Sequence, residues 1–389
     1  MEVALFEDDA WKNFVPISSS RHLSQQLLGT GTILDHLARR FKGREISLVG
    51  RAYLARLTSQ RTGLRYNDPD TTVLLVNARV NPLSVLARWA ELPLGSAVID
   101  REQVALAAVR SRDLQKVRAE DGTLPQKALA SLVKGSSRLE SPDPILFAYP
   151  WDFVEANPGA IRAAAGKKKL AVSPTAEVED YVSFDTRDGP VIIGDRVRVE
   201  SFSRISGPCY IGDGTMVHSA LLRGGTTVAD GCRVGGEIEL SIVYRRTTKV
   251  HFGFLGHSII GEWANFAAGA VTSDLKHTFG HVRVDRGGER VDTGLAKVGS
   301  FIGDMAKVSI GTMIYGGKTI GVAARAEGLV RKDVPDFVDY SQHGEPGERL
   351  DLDKVIEMQV RAKKRRDEVV TPEEKEVIEH LYRAAFPDA

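Results

Sequence analysis

Cysteine is scarce in this sequence, and neither sign of charge prevails. The 389 residues include two cysteines, Cys209 and Cys232, without metal-ligand spacing, which argues against a disulfide framework and favours a reducing compartment. Lys and Arg number 52 against 51 Asp and Glu, so composition gives no sign of a nucleic-acid or membrane partner. No apolar run is long enough to span a bilayer, and the acidic residues 1–14 differ from a signal peptide. We therefore expect a cytoplasmic protein that binds neither nucleic acid nor membrane.

What the sequence does contain is a repeat of six residues between Pro190 and Asp333. Apolar residues mark the repeat in three blocks: Ile193, Val199, Ile205, Ile211 and Val217; then Ile242, Phe254, Ile260 and Phe266; then Ile302, Val308, Ile314 and Ile320. A period of six fits neither an α-helix nor a simple strand. It is typical of a left-handed parallel β-helix, in which each unit supplies one short strand and one corner.

Glycine follows the apolar residue of several units, and two segments interrupt the repeat. The glycines are Gly194, Gly212, Gly261, Gly303 and Gly321. We expect them to adopt backbone angles that a Cβ would penalise. The interruptions, at residues 243–250 and 273–297, predict loops that leave the corners of the stack. Because each coil buries its apolar residues only against its neighbours, several coils must stack before any is stable.

The rest of the chain divides into three segments around this β-helix, which we assign to residues 190–333. Residues 1–170 alternate strands with helices, and the wholly apolar run Val73–Val76 is typical of a strand buried on both faces. This segment predicts an α/β domain with a mostly parallel sheet. Residues 171–189 are interpreted as a linker, and residues 334–389 as a helical tail.

Two helices are predicted in the tail, at 350–366 and 372–386. The second begins with the capping-box pattern Thr371–Glu374 and presents one apolar face that must dock on another element. The basic run 361–366 is interpreted as a solvated face, with contact to a phosphate or coenzyme as the alternative.

One segment of the repeat, from Lys249 to Ala270, concentrates residues that could carry chemistry. With its surroundings, residues 222–333, it resembles the acetyltransferase half of the GlmU-type bifunctional enzymes that make UDP-N-acetylglucosamine. The resemblance implies the following roles: His251 as general base, Asn265 as a sugar contact, Arg223 as a contact to the sugar phosphate, Lys297 as a substrate-site lysine, Ser309 near acetyl-CoA, and Phe254 where the family has a substrate-site tyrosine. Imidazole can accept the proton of an attacking amine near neutral pH, and a guanidinium can hold a phosphate with two parallel hydrogen bonds.

Other positions depart from the family pattern. Ser241 stands where we place a phosphate-site lysine, and Phe254 replaces the tyrosine. An Asn-Tyr pair is replaced by Asp274–Lys276. Three changes around one pocket predict that the acyl acceptor differs from glucosamine 1-phosphate.

The N-terminal segment, in residues 6–16 and 149–161, resembles a group of sugar nucleotidyltransferases that carry a GlmU-like β-helix. The usual Gly-rich loop and its lysine are not intact, and Leu23 occupies the lysine position. A Gly-rich loop would cradle phosphates, so nucleotide activation is not favoured. Arg21 and Arg79 are candidate nucleotide contacts, and Mg²⁺ is expected only if this domain is active. The run Gly29–Thr32 is interpreted as a helix N-cap rather than a replacement phosphate loop.

These patterns leave four functional hypotheses. The favoured one is acyl transfer from acetyl-CoA or another acyl-CoA to an amino-sugar phosphate, in a homotrimer whose sites lie between subunits. The second is nucleotidyl transfer from a nucleoside triphosphate to a sugar 1-phosphate. The third is a zinc enzyme using three of His251, His257, His277 and His281. The fourth is a non-catalytic assembly protein.

Overall fold

The computed structural model describes residues 1–84, 91–133, 138–140, 144–340 and 347–388. Its N-terminal part is an α/β domain. In chain order the elements are β1 (Glu2–Phe6), β2 (Leu27–Leu28), β3 (Gly31–Thr32), α1 (Ile33–Arg40), β4 (Ile46–Val49), α2 (Ala55–Thr62), β5 (Arg65–Tyr66), β6 (Thr72–Asn77), β7 (Ala97–Asp100), β8 (Gln103–Arg110), α3 (Ser111–Leu114), α4 (Gln126–Leu132), β9 (Arg138–Glu140) and α5 (Pro150–Ala165).

The sheet of this domain has the strand order β5-β4-β1-β6-β8-β7-β9. The first four strands are parallel, with Leu5 of β1 opposite both Leu48 and Val76, and β8 runs antiparallel to β6 and β7. Alternate residues of β6 enter two separate apolar cores, Leu74 on one face and Val73 on the other. The prediction that this strand is buried on both faces is confirmed.

The second part is a left-handed parallel β-helix. Its strands are β10 (Leu170–Val172), β11 (Glu177–Val178), β12 (Ser183–Asp185), β13 (Val191–Ile193), β14 (Arg198–Val199), β15 (Arg204–Ser206), β16 (Cys209–Ile211), β17 (Met216–Leu222), β18 (Thr226–Val228), β19 (Arg233–Glu239), β20 (Ile242–Val243), β21 (Thr248–Lys249), β22 (Phe254–Gly256), β23 (Ile259–Ile260), β24 (Asn265–Phe266), β25 (Val271–Thr272), the hairpin β26 (Arg283–Arg286) and β27 (Glu289–Asp292), then β28 (Phe301–Ile302), β29 (Lys307–Val308), β30 (Met313–Ile314), β31 (Thr319–Ile320), β32 (Arg325–Ala326), β33 (Leu329–Val330), β34 (Val338–Tyr340) and β35 (Glu348–Arg349).

Three faces result from this stacking. The first face is the ladder β10-β13-β16-β18-β20-β23-β28-β31, and the second contains β11, β14, β21, β24, β29 and β32. The third contains β12, β15, β22, β25, β30 and β33, joined by the second halves of the long strands β17 and β19. Val191 pairs with Cys209, three six-residue units later, as the repeat predicts.

The glycines of the repeat are required for a different reason from the one predicted. Their φ angles do not lie in the left-handed region; instead a Cβ at Gly261 would lie only 2.6 Å from the backbone nitrogen of Asp304 in the next coil, and one at Gly303 equally close to that of Val322. The left-handed angles occur later in each corner, as at Trp263 (φ 60°) and Met305 (φ 62°). Close stacking of coils, rather than unusual backbone angles, therefore excludes a side chain at these glycines.

The β-helix begins earlier than the repeat indicates. The predicted linker, residues 171–189, forms β11 and β12, and β10 pairs with β13 in the register of the coils that follow. The assignment as a linker is wrong. A further second-face strand, β34, pairs with β32 beyond Asp333.

The two domains share one apolar core. Ile242, Tyr244 and Phe301 of the first face pack with residues of the N-terminal sheet and of α5. The hydroxyl of Tyr244 donates to Gln26 (2.6 Å), and the side chain of Asn157 donates to the backbone oxygen of Gly225 (2.8 Å). The first face is therefore covered by the N-terminal domain.

The predicted tail helices are confirmed as α6 (Leu352–Lys364) and α7 (Pro372–Ala385), and the predicted capping box opens α7. Their apolar faces pack on the corner between the first and second faces, where Trp263, Met305 and Phe337 lie. None of the helices in the described ranges is long and apolar enough to cross a membrane. The third face and part of the second remain uncovered by these elements.

Candidate functional site

The third face gathers three of the residues singled out by the resemblance. Arg223 Nε lies 2.5 Å from Glu237 Oε1, and Lys297 Nζ lies 3.9 Å from Glu239 Oε1. Strand register places Phe254 directly beside Glu237. The side chains of Arg223 and Lys297 are 48% and 44% exposed, so both cations face solvent at this surface.

His251 lies at the corner where the second face passes into the third. It is exposed, as is its neighbour Phe252 (73%). The preceding Lys249 points into the prism, and its ammonium donates to the backbone oxygens of Gly235, His251 and Gly253 at 2.8–3.1 Å. Burial lowers the pKa of Lys249 to about 8. The corner backbone that presents His251 is thus held by an internal lysine.

A second imidazole at the far end of the same strand is paired with a carboxylate. His257 follows β22, has a left-handed φ of 48°, and places Nδ1 2.7 Å from Asp274 Oδ2. Both residues are buried. Burial opposes ionisation of Asp274, but the hydrogen bond and charge of His257, with Lys297, hold its pKa below the usual value. A carboxylate on Nδ1 fixes the ring and leaves Nε2 as the proton acceptor.

The sequence analysis did not pair these two residues: it named His257 only among the candidate zinc ligands and Asp274 only as part of a departure from the family pattern. They are 17 residues apart in the sequence, and the structure brings them together as hydrogen-bonded partners.

A cavity of about 500 Å³ lies beside Asp274, between the third face and the inserted hairpin β26–β27. Its walls carry five cationic side chains: Lys276, Arg283, Arg290, Lys318 and Arg331. Tyr315 also lines it, beneath the guanidinium of Arg331 (5.6 Å). We call this the hairpin cavity; its charge suits a phosphate group.

The remaining two residues of the resemblance lie off the third face. Asn265 is on the second face, in register with Thr248 and Lys307. Ser309 follows β29, two coils beyond the His251 corner, or roughly 10 Å at the usual strand spacing. The structure therefore groups Arg223, Phe254 and Lys297 but does not bring Asn265 and Ser309 to the same face.

In the N-terminal domain, the carboxyl edge of the parallel strands is where ligands bind in open α/β sheets. Here that edge is filled by two ion pairs. Arg51 Nη2 lies 2.7 Å from Glu7 Oε1 with both side chains fully buried, and Arg79 Nη2 lies 2.5 Å from Asp8 Oδ2 with both nearly so. Burial opposes ionisation of Glu7, but Arg51 and then His22 lower its pKa to about 2.

These carboxylates do not fit a Mg²⁺ ion, because each is already bound to a guanidinium. Arg79 also donates to Phe147 O (2.7 Å) and Gln103 Oε1 (2.6 Å), so its donors are used within the domain. A nucleotide contact at Arg79 stays a prediction that this geometry does not favour.

Arg21, the other candidate nucleotide contact, joins the two domains. Its Nη2 donates to both carboxylate oxygens of Asp304 at 2.6–2.7 Å and lies 3.8 Å from Glu262. Its guanidinium also stacks on Tyr244 (4.3 Å). Arg21 and Thr32 line an interdomain cavity of about 430 Å³. Thr32 caps α1 in a capping box, which confirms the N-cap interpretation of this run.

The zinc hypothesis finds no site in the described residues. Among them no three His, Cys, Asp or Glu side chains are grouped as metal ligands. Of the four histidines, His257 is bound to Asp274 and His281 lies 3.4 Å from Asp292.

Comparison with known proteins accords with this two-domain architecture. Residues 3–166 match the family model described as sugar nucleotidyl transferase. A bifunctional sugar-1-phosphate nucleotidylyltransferase/acetyltransferase of Sulfurisphaera tokodaii is 30% identical over 190 residues, which cover 48% of this chain and 45% of that protein. The bifunctional protein GlmU of Jannaschia sp. is 26% identical over 288 residues, 73% of this chain and 51% of that protein.

The likeness to solved structures is weaker. A UDP-N-acetylglucosamine acyltransferase is 14% identical, with 46% of this chain and 70% of that chain covered and a TM-score of 0.23. AntD, an N-acyltransferase from Bacillus cereus, is 12% identical, with 51% and 89% covered and a TM-score of 0.21. These scores add nothing to the fold established by the strand pairing.

The chain therefore joins a nucleotidyltransferase-type α/β domain to a hexapeptide-repeat β-helix. Residues 3–166 match the sugar nucleotidyl transferase family model, and parts of the chain are similar to the GlmU-type bifunctional transferases, which confirms the resemblance stated from the sequence. The chain spans about half or less of the length of the curated relatives cited here.

Proposed function

We propose that this protein is a nucleotide-sugar pathway acyltransferase that moves an acyl group, acetyl in the simplest case, from an acyl-CoA to an amino-sugar 1-phosphate. The observation that carries the proposal is the third face: two imidazoles, His251 and His257, flank one strand, β22, beside the cationic hairpin cavity. An amine acceptor needs a base, and its phosphate needs cations; this surface supplies both.

In the proposed reaction the acceptor amine attacks the thioester carbonyl. The nitrogen–carbon bond forms and the carbon–sulfur bond breaks, so the CoA thiolate leaves. The imidazole takes the proton that the amine loses, and that proton can then neutralise the thiolate. His251 has the base role by family resemblance; His257, oriented by Asp274, is the alternative that the geometry favours.

The phosphate of the acceptor would bind in the hairpin cavity. Arg223, which the resemblance places at the sugar phosphate, does not line this cavity and would instead hold the sugar, together with Lys297, at the exposed third face. Because Phe254 offers no hydroxyl and Asp274 is engaged with His257, the acceptor would differ from glucosamine 1-phosphate in the groups facing them.

A homotrimer is part of the same proposal. Four exposed apolar residues lie at the corner that carries His251, each in a different coil: Tyr181, Phe202, Phe252 and Ile310 are 73–79% exposed. Exposed apolar residues that share one corner suit burial against another subunit. Three-fold association would place each His251 between neighbouring subunits.

A cytoplasmic location stays a prediction from cysteine usage; both thiols are free and buried.

Nucleotidyl transfer is the second candidate, supported by the family of residues 3–166. It is less favoured because ion pairs fill the carboxyl edge of the sheet. A non-catalytic assembly role is the third.

The test is thiol release from acetyl-CoA with a panel of amino-sugar 1-phosphates, including glucosamine 1-phosphate. His251→Ala and His257→Gln are compared with the exposed control His281→Asn. Thiol release that requires both the sugar and His251 would support His251 as the general base. Release that depends on His257 and not on His251 would assign the general base to His257 instead. No release from folded protein would reject these substrates, and pyrophosphate release with nucleoside triphosphates would then be measured.

A further inference from the structure

Helix α6 lies along the second face and closes a groove of about 360 Å³. We call it the α6 groove. Six cationic side chains line it: Arg233, Arg246, Lys307, Arg361, Arg365 and Arg366. None of the described residues that line the groove is acidic.

Carboxylates compensate only part of this charge. Within the described part of the chain, Glu368 pairs with Arg246 and Glu357 with Arg361, while the other four cations have no carboxylate within 4 Å. The Nε atoms of Arg233 and Arg246 are buried and have no hydrogen-bond partner among the described residues. Buried donors without partners cost free energy until a ligand supplies acceptors.

The cations also repel one another. Burial, and then Arg233 and Arg246, lower the pKa of Arg366. Burial, and then Arg325, lower the pKa of Lys307 to about 8. Cations that lower one another's pKa are stabilised when an anion binds between them.

Docking of the tail does not require this cluster. The apolar faces of α6 and α7 already pack on Trp263, Met305 and Phe337. Arg366 adds bonds to Gly231 O (3.4 Å) and Thr248 Oγ1 (3.2 Å), which fix one rim of the groove. Arg246 adds an ion pair with Glu368 of the tail. The remaining four cations, Arg233, Lys307, Arg361 and Arg365, have no ion pair across the groove among the described residues, so a structural role leaves them unexplained.

We propose that the α6 groove binds a ligand carrying two or more phosphate groups. Arginine side chains offer paired N–H donors that match phosphate oxygens, and six cations exceed what a single phosphate can engage. The groove floor at Thr248 lies three residues before His251, roughly 10 Å along an extended chain. A ligand anchored here could reach the third face. The inference rests on the groove itself and holds whether or not acyl transfer is the reaction.

Two ligands share this chemistry: the nucleotide end of a coenzyme A and a nucleoside triphosphate. Isothermal titration of the full chain with CoA, UTP, ATP and inorganic pyrophosphate separates them. We expect binding that weakens steeply with added salt, since the contacts are ionic. Tighter binding of CoA than of the triphosphates would identify the groove with the acyl donor, and the reverse with a nucleotide.

The variants are Arg365→Ala and Arg233→Gln, with Lys364→Ala as the control, because Lys364 is exposed on the same helix outside the groove. Each groove variant should weaken binding about tenfold or more, and the control should not. Without ligand both should unfold at the same temperature as wild type or higher, because repulsion is relieved.

Three results would overturn the proposal. One is no measurable binding of any probe to the folded chain. Another is equal affinity in wild type and groove variants. The third is a change of oligomeric state in Arg365→Ala, measured by sedimentation, without loss of anion affinity, which would mean that a second copy of the chain covers these cations.

Discussion

The carboxyl edge of the N-terminal sheet and the outer faces of the β-helix use the same residue types to opposite effect. At the sheet edge, Glu7 with Arg51 and Asp8 with Arg79 are buried and paired. On the β-helix, Arg223 and Lys297 are nearly half exposed, and among the described residues most cations of the α6 groove have no carboxylate partner. Charged side chains that are paired and buried stabilise the fold, whereas charged side chains that are exposed or uncompensated are available to bind a ligand.

The contrast distinguishes the two domains of a chain that is similar to bifunctional enzymes. The position where an open α/β sheet binds its ligand is buried and paired in this protein. The corner and third face of the β-helix instead expose the imidazole of His251 and the cationic side chains of Arg223 and Lys297. Sequence family alone would assign activity to both parts.

Breaking a pair at the sheet edge should have the largest effect. Arg51→Met leaves the buried Glu7 carboxylate without its partner, which should lower the free energy of unfolding by about 3–5 kcal/mol. Urea denaturation followed by circular dichroism measures it. As the control, Arg187→Ala removes an exposed pair with Asp185 and should leave the unfolding midpoint unchanged. Equal effects of the two variants would contradict the contrast.

Next in size is the effect of the His257–Asp274 pair on activity. Asp274→Asn keeps the shape but cannot hold the ring as a carboxylate does. We expect kcat for acyl transfer to fall about 100-fold with KM nearly unchanged. His281→Asn, on the exposed hairpin segment, serves as control. A wild-type kcat and pH profile in Asp274→Asn would remove the pair from the mechanism and leave His251 as the base.

Acid should weaken the N-terminal core through Glu7. Its pKa falls from 4.5 to about 2 on folding, so its contribution is complete above pH 4.5 and is lost as the pH falls toward 2. Glu7→Gln should flatten the stability curve over that window. The measurement is urea denaturation at several pH values in wild type and variant; parallel curves would show that Glu7 does not drive the acid sensitivity.

The sequence predicted the coils because their spacing is local, and missed what depends on stacking. The first coil was predicted to be a linker because Lys167–Lys169 and Ser173–Ala176 indicated a solvated segment. In the structure its outward Leu170, Val172 and Tyr181 are exposed, as is usual for a terminal repeat. Of the site, Arg223, Phe254 and Lys297 were placed by family pattern, and the structure puts them on one face. The His257–Asp274 pair needed the coil register.

The α6 groove and the ion pairs at the sheet edge could not be predicted from the sequence for the same reason. Arg233 and Arg366 belong to the second face and the tail, and only the docking of α6 sets them together. Glu7 and Arg51 follow different strands, and the parallel register makes them neighbours. Sequence showed the charges, but three-dimensional packing determined which of them are paired.

The smallest effect concerns Lys249, a buried charge that belongs to neither class. It sits in the inward column beside Val234 yet donates to three corner carbonyls. Its pKa falls from 10.5 to about 8 on folding, so the unfolded chain binds more protons between these values and stability should rise with pH there. Because Lys307 has the same shift, Lys249→Met should remove only part of that rise, whereas the exposed Lys354→Met should keep all of it, in urea denaturation between pH 7 and 10.5. If Lys249→Met instead lowers activity while the pH curves of variant and wild type stay parallel, the lysine positions the His251 corner rather than stabilising the core. Lys249 would then be a buried charge that serves function, contrary to the contrast between the two regions.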